Sequence, residues 1–231
     1  MTGEYRRMHL LLEGQTEENV VTMVLQPYLE SLGWTVAKSV VITKRMANGA
    51  AYRGGVSSWA KLADKISKHL NDSSLHVLTT LFDYYGFPSD APGMDSRPRG
   101  SAWHQVEHVE EALATAIGDP RFIPNLILHE TETWVFAAAD QLGELLGSDS
   151  LAGRLRNDVK TAGDVELVND SPETRPSRRL EKYFERYSKT TDGPLAIDEL
   201  GIEALRAQCS HLDRWLGCLE QHPVNAEKPA S

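Results

Sequence analysis

Five acidic residues are the features of this sequence whose type and spacing best suit chemistry. Glu13 and Glu17 stand four apart in Glu13-Gly14-Gln15-Thr16-Glu17, Asp83 lies in Phe82-Asp83-Tyr84-Tyr85-Gly86, and Glu130 and Glu132 flank Thr131 in His129-Glu130-Thr131-Glu132. Carboxylates about 4 Å apart repel by roughly 4 kcal/mol at an effective dielectric of 20, so acids gathered in one place call for a positive partner. Oxygen-only donors suit the hard cations Mg²⁺ and Mn²⁺. Taken singly, each acid reads equally as a solvated turn residue or a helix cap.

The elements around these acids give the reason to take them together. Met8 to Leu12 is an apolar run that stops at Glu13-Gly14, as a buried strand does at a turn. A helix follows, with Thr16 as its expected cap and Val20, Val21, Val24, Leu25, Tyr28, Leu29 and Leu32 at helical spacing; Pro27 should kink it. Val36 to Thr43 reads as a second strand, Trp59 to Leu70 as a helix, Leu75 to Phe82 as a third strand and Trp103 to Ile117 as a helix stopped by Gly118. Asn125 to Leu128 is a fourth strand that Pro124 can only begin. Strands alternating with helices imply crossovers and a mainly parallel, four-stranded α/β sheet flanked by helices. In such a sheet the loops after the strands emerge on one edge, where ligands bind. Three of those loops carry the five acids.

Beyond about residue 140 the periodicity is helical, in Gln141 to Leu146, Arg178 to Tyr187 and Leu212 to Leu219. The expected organisation is an α/β domain over 1–146, a helical C-terminal extension packed on it over 147–222, and a tail over 223–231 with little to bury.

Basic residues rim the same edge. Lys44, Arg45 and Arg53 follow strand two, and Arg97 and Arg99 follow strand three, in Gly- and Pro-rich segments able to approach a phosphate backbone. After Ser177, the residues Arg178, Lys182, Arg186 and Lys189 line one face of a helix whose other face is Leu180, Tyr183, Phe184 and Tyr187. Arg179 belongs with this basic group, and Arg178 is the candidate to stabilise charge on a phosphoryl transition state. Ion pairing to Glu181 and Glu185 is the alternative use of the basic face, and core packing that of the aromatic one.

A second constellation competes. His104-Gln105-Val106-Glu107-His108 matches the His-x-x-Glu-His pattern of inverted zinc peptidases, with two imidazoles one helical turn apart and a neighbouring general base. It lacks an evident third ligand, and solvent-facing histidines explain it as well. Cys209 and Cys218, with only His211 near, form neither a zinc set nor a disulfide framework, and both read as reduced.

A net charge of −9 argues against binding nucleic acid through bulk positive charge. Metal ions, a local basic patch or a partner must then make the contact. No apolar run approaches the roughly 20 residues that span a bilayer, so no membrane is expected and a cytoplasmic location is.

These segments also carry a resemblance. Glu13-Gly14-Gln15-Thr16-Glu17 on a strand-to-helix turn, with a later strand ending in Asp83, resembles the Toprim domain of topoisomerases, bacterial primases and the overcoming-lysogenization-defect nucleases, and Glu17 favours the nuclease branch. With Asp119-Pro120-Arg121-Phe122-Ile123-Pro124, Leu128-His129-Glu130-Thr131-Glu132 and Pro176-Ser177-Arg178-Arg179, the succession is similar to a bacterial Toprim-like family of unknown function, often encoded beside ATPases in mobile or defence loci. The resemblance implies a Toprim/Rossmann-like fold and a Mg²⁺- or Mn²⁺-dependent nuclease. It implies a nucleic-acid substrate, DNA before RNA, and an ATPase partner in a phage-defence or mobile-element system, with a catalytically weak adaptor subunit as the alternative. Glu13, Glu17 and Asp83 match the Toprim metal ligands and catalytic acids. The pattern's second Asp is Tyr85 here, so a second ion would depend on Glu130 and Glu132.

Overall fold

A computed structural model describes residues 6–45, 51–53, 58–169 and 174–222, with 42–45 and 51–53 as backbone. The tail at 223–231 lies outside the described residues. Strand β1 (Arg6–Leu12) is central, parallel to β2 (Trp34–Val40) on one side and β5 (Val77–Asp83) on the other. Between them in sequence come a short antiparallel pair, β3 (Ile42–Arg45) and β4 (Ala51–Arg53). The second strand therefore breaks at Val41 and does not continue to Thr43.

The fourth strand position is occupied in two pieces. β6 (Phe122–Ile123) and β7 (Leu126–Ile127) both run parallel to β5, pairing with Leu78 and Thr79 and with Phe82 and Asp83 respectively. Pro124 has no N–H to donate and interrupts the ladder between them. Thr80 bridges the gap, its hydroxyl donating to the Asn125 carbonyl and accepting from the Asn125 N–H, both at 2.9 Å. The result is the mainly parallel α/β sheet expected from the pattern, with order β2-β1-β5-β6.

Helix α1 (Gln15–Val20) starts at Gly14, so Thr16 sits inside the helix, buried, and is not its cap. Chain irregularity falls at a π-helical turn over Val21–Leu25, ahead of α2 (Gln26–Ser31), and not as a kink at Pro27. In the first turn of α2, Pro27 needs no hydrogen-bonded N–H. Helix α3 (Trp59–Leu70) and helix α4 (Ala102–Ile117, capped by Ser101 and ended by Gly118 at φ 68°) occupy the spans their periodicity predicts.

After β7 the chain is helical: α5 (Glu132–Ala137), α6 (Ala139–Leu145), α7 (Asp149–Ala162), α8 (Pro176–Tyr183), α9 (Asp192–Leu200), α10 (Ile202–Gln208) and α11 (Ser210–Gln221). Alternation along the strands sorts the core into two layers. Met8, Leu10 and Leu12 with Val77 and Leu81 pack against α1, α2 and the C-terminal helices through Leu205, Trp215, Leu216 and Leu219. Leu11, Leu78 and Phe82 pack against α3 and α4 through Leu62, Ile66, Val106 and Val109. Among the described residues no helix is long and apolar enough to cross a membrane.

Candidate functional site

The ends of β1, β5 and β7 lie side by side, and the register brings the acids there. Leu12 stands opposite Leu81, and Asp83 opposite Ile127. Glu13 is the first residue past β1 and its N–H still bonds to the Leu81 carbonyl at 3.1 Å. Its carboxylate turns across to β5, where Oε2 accepts the Asp83 N–H at 3.0 Å. Glu17 projects from the first turn of α1 and is 5% exposed. A Cβ on Gly14 would come within 3.1 Å of Glu17 Oε2, so glycine leaves this carboxylate its room.

His129 turns the chain from β7 into α5 through a left-handed conformation, φ 67°, a cost that non-glycine residues rarely bear outside constrained sites. The Tyr84 and Tyr85 N–H groups bond to the carbonyls of Ile127 and His129 at 2.9 and 3.0 Å, tying this turn to the end of β5. Thr131 is the hub it creates. The Thr131 N–H donates to Asp83 Oδ1 at 2.9 Å; its hydroxyl donates to Glu17 Oε1 at 2.5 Å and lies 3.2 Å from Asp83 Oδ1.

Because Thr131 leads into a helix, Glu130 and Glu132 do not share a strand face. Glu130 accepts the Ser177 N–H at 3.0 Å through Oε2, and its Oε1 lies 3.4 Å from Arg175 Nε. Oε2 thus anchors the start of α8 by a hydrogen bond, and Oε1 faces Arg175 in an ion pair without one. Glu132 is 3% exposed and, among the described residues, its Oε1 has no hydrogen-bond partner. Burial pushes the Glu132 carboxyl up to about 7, against the pull of Lys189. Asp83 is held well above the usual carboxylate range, first by burial and then by the charges of Glu17, Glu13, Glu132 and Glu130. All five acids therefore act on one place. Among the described residues, however, no three acidic, imidazole or thiol groups already stand at the spacing that encloses a metal ion.

The basic candidates are dispersed. Arg178 is exposed and pairs with Glu181 at 3.4 Å on its own helix; Arg175 is the arginine beside the acids, with its guanidinium 5.7 Å from the Tyr85 ring centre. Arg179 turns to α7, pairing with Asp158 at 3.1 Å. Helix α8 ends at Tyr183, so Lys182 lies on it but Arg186 and Lys189 fall on the following loop, and the single basic stripe is not formed. The aromatic face packs inward, with Leu180 and Tyr187 buried and Tyr183 and Phe184 against them. Arg97 is exposed and donates to the Met94 carbonyl and the Tyr84 hydroxyl, at 2.7 and 3.0 Å; Arg99 is exposed on the same loop. Lys44, Arg45 and Arg53 lie on β3 and β4, and their side chains are outside the description.

The His-x-x-Glu-His constellation does not form a site. Glu107 pairs with Arg214, His108 Nε2 lies 3.0 Å from Ser96 Oγ, and His104 is exposed. Among the described residues no third acidic, imidazole or thiol group completes a zinc set around it. Sequence reasoning missed Thr131 and Arg175. The first has a signal in the sequence, since its hydroxyl stands between two acids.

Solved structures with a similar outline include the C-terminal region of the Burkholderia pseudomallei OLD protein, at 15% identity over 92% of this chain and 98% of that one, TM-score 0.41. The C-terminal region of the Xanthomonas campestris pv. campestris OLD protein matches at 17% over 94% and 99%, TM-score 0.36. Staphylococcus aureus homoserine dehydrogenase matches at 14% over 81% and 54%, TM-score 0.27. Likenesses this distant bear no argument about chemistry. No curated protein matches the chain. A family model does, over residues 12–220, a span that holds every one of the five acids, and the chain belongs to the family described as Domain of unknown function (DUF4276).

Proposed function

We propose that this chain is a divalent-cation-dependent nuclease that hydrolyses phosphodiester bonds of nucleic acid, with Glu13, Glu17, Asp83 and Glu132 as the residues that hold Mg²⁺ or Mn²⁺. The observation that carries the reading is the buried Glu132 Oε1, a carboxyl oxygen without a donor among the described residues and beside a cluster of other acids. A buried, unpaired carboxyl relieves the cost of its charge by taking a proton, as the rise of Glu132 to about 7 reflects, or by meeting a cation, and a cation lets Glu132 and its acidic neighbours be ionised together. The donors are all oxygen, which suits these two ions. Mg²⁺ is usually held by one or two carboxylates, with water and substrate phosphate completing its shell, so one ion does not require a preformed trio of ligands. The resemblance of the Glu13–Glu17 turn and Asp83 to Toprim nucleases supports the same chemistry.

When bound, the ion would supply positive charge against the phosphate and activate water for attack. The chain's own residues orient it. The Asp83 N–H fixes Glu13, and Thr131 fixes Asp83 and Glu17, so three carboxylates, two from strand ends and one from the first turn of α1, are held by hydrogen bonds. Arg175, rather than the exposed Arg178, would offset charge on the phosphate from beside Glu130. Glu130 serves as its anchor and no longer as a metal ligand, which leaves one ion as the proposal.

A second reading, an adaptor subunit that acts with an ATPase, is favoured by Tyr85 at the place of the second Toprim acid and by the occupied oxygens of Glu130. One experiment separates them. Purified protein is incubated with plasmid DNA and short RNA in Mg²⁺ or Mn²⁺ beside Glu13→Gln. Cleavage that disappears in the variant is the expected result; cleavage that survives it removes this mechanism. Cleavage seen only after an ATPase is added assigns the adaptor reading.

A further inference from the structure

At the opposite end of β1 lies a cleft that the acid cluster does not use. It has a volume of about 550 Å³ and lies between the edge strand β2 and the last turn of α3. Six residue steps at ~3.3 Å each place Arg7 ~20 Å from Glu13 along β1. On the α3 side of the sheet Arg7, His9 and Leu11 alternate with residues of the other layer, and the facing positions on β2, Thr35 and Ala37, are exposed. Arg7, His9, Lys68 and His69 line the cleft over a floor that includes Met8 and Leu75. In a chain of charge −9 this is a local concentration of cationic and imidazole groups.

The two imidazoles are in contact, ring centres 4.1 Å apart, and His9 Nε2 lies 2.9 Å from Ser39 Oγ. Other charges facing the cleft are the half-buried Lys65 and the acids Asp64 and Asp72, which pair with Lys68 at 2.5 Å and with Arg7 at 3.2 Å. These are exposed pairs, which solvent screens and an incoming anion can exchange. Burial and the cations around them, Arg7 and Lys65 beside His9 and Lys65 beside His69, hold both imidazoles below their ordinary range. Three cations, Arg7, Lys65 and Lys68, stand against the two acids there.

We infer that this cleft is a binding site for a small phosphate-bearing anion, held by Arg7 and Lys68 and completed by protonation of His69. The volume exceeds that of inorganic phosphate several times over and lies within the ~300–1,000 Å³ of small-molecule pockets, so the cleft has room for a phosphomonoester of nucleotide size. The phosphate has two sources, a free mononucleotide or the 5′ end of a nucleic-acid strand. The site does not depend on the nuclease reading, and its test uses no divalent cation.

Full-length protein is titrated calorimetrically in EDTA with AMP and, separately, with 5′-phosphorylated and 5′-hydroxyl DNA 12-mers, at pH 7.5 and 5.5 in two buffers of different ionisation enthalpy. Expected are binding at least threefold tighter at pH 5.5, an enthalpy that depends on the buffer through proton uptake, and movement of the His9 and His69 ring resonances. AMP binding assigns a free mononucleotide; binding of the phosphorylated 12-mer alone assigns a strand end. Lys68→Glu, on an exposed helical surface that leaves the fold intact, and His69→Gln should each weaken the interaction at least tenfold. No binding by any phosphorylated probe overturns the inference, as does binding that both variants leave unchanged.

Discussion

At the scale of single residues, Thr131 decides the geometry of the acids. It lies wholly buried and contributes both of its donors to carboxylates from other elements. Thr131→Val keeps shape and β-branching but leaves Glu17 Oε1 without its donor. A buried acceptor so abandoned costs about 1–3 kcal/mol, and loss of a group that orients metal ligands lowers metal affinity on the order of 10–100-fold. Urea unfolding with and without Mn²⁺ and calorimetric Mn²⁺ titration measure the two effects; a variant with unaltered Mn²⁺ affinity would remove Thr131 from the site. A second residue-scale prediction concerns acid. His9 is pushed down to about 4 by burial and by the charges of His69, Arg7 and Lys65. Its folded state prefers the neutral ring, so the stability it contributes is complete above its unfolded value near 6.5 and is lost as pH falls towards 4. His69 shifts in the same direction. Asp83 and Glu132 act oppositely, because carboxyls raised by burial favour the folded state as they gain protons. The difference between native protein and His9→Gln isolates the imidazole: between pH 7 and 4.5 the urea midpoint of the variant should fall less steeply, and parallel curves would refute the assignment.

At the scale of elements, local pattern and local structure agree where the apolar spacing is dense. β1, β5, α3 and α4 were legible because each offers a buried face at one clear period. Helix α7 was not, since its core contribution is Leu151, Ala152 and Leu155 among polar residues. Helix α9 was hidden behind Gly193-Pro194, a pair that reads as a breaker, although proline is tolerated in a first helical turn. The acids were legible one by one from their loops. Which of them would be paired was not, because the turn at His129 aims Glu130 at Ser177 and Arg175, and those contacts are set by chain 47 and 45 residues further on. Long-range caps have the same character. Glu166, 1% exposed, accepts the N–H groups of His211 and Leu212 at 2.8 and 3.2 Å and so satisfies the first turn of α11. Glu166→Ala should cost about 1–3 kcal/mol by orphaning two buried donors. Glu166→Gln should cost less, since it retains an acceptor and sheds a charge whose burial raises its pKa. Chemical denaturation of the two variants tests the order, and equal losses would mean that the charge itself holds the helix.

At the scale of the whole molecule, the α/β part and the helices after it are joined by one core. Met8, Leu10 and Leu12 from β1 share a continuous apolar layer with Leu205, Trp215, Leu216 and Leu219. Trp215, 4% exposed, adds a polar tie, its Nε1 donating to Thr79 Oγ1 on β5 at 2.9 Å. The sequence pattern changes near residue 146 because strands stop there, and a change of pattern need not be a division of the core. A fragment of residues 1–146 would expose the layer that α9, α10 and α11 cover. Each fully buried Leu-sized side chain is worth ~1.5–3 kcal/mol, so exposure of a handful equals the ~5–15 kcal/mol stability of an ordinary domain. The fragment is therefore expected to lack a cooperative unfolding transition and dispersed amide resonances, while the full chain unfolds in one step. Trp215→Phe tests the same point without truncation, keeping most of the apolar volume and orphaning the Thr79 hydroxyl, at about 1–3 kcal/mol. Because β5 ends in Asp83, the loss should reach the acids as well: Trp215→Phe and Glu13→Gln would then lower Mn²⁺ affinity through different routes, the first recoverable by conditions that stabilise the fold and the second not. A 1–146 fragment that folds and binds Mn²⁺ as tightly as the full chain would show instead that the helical part is an independent cover.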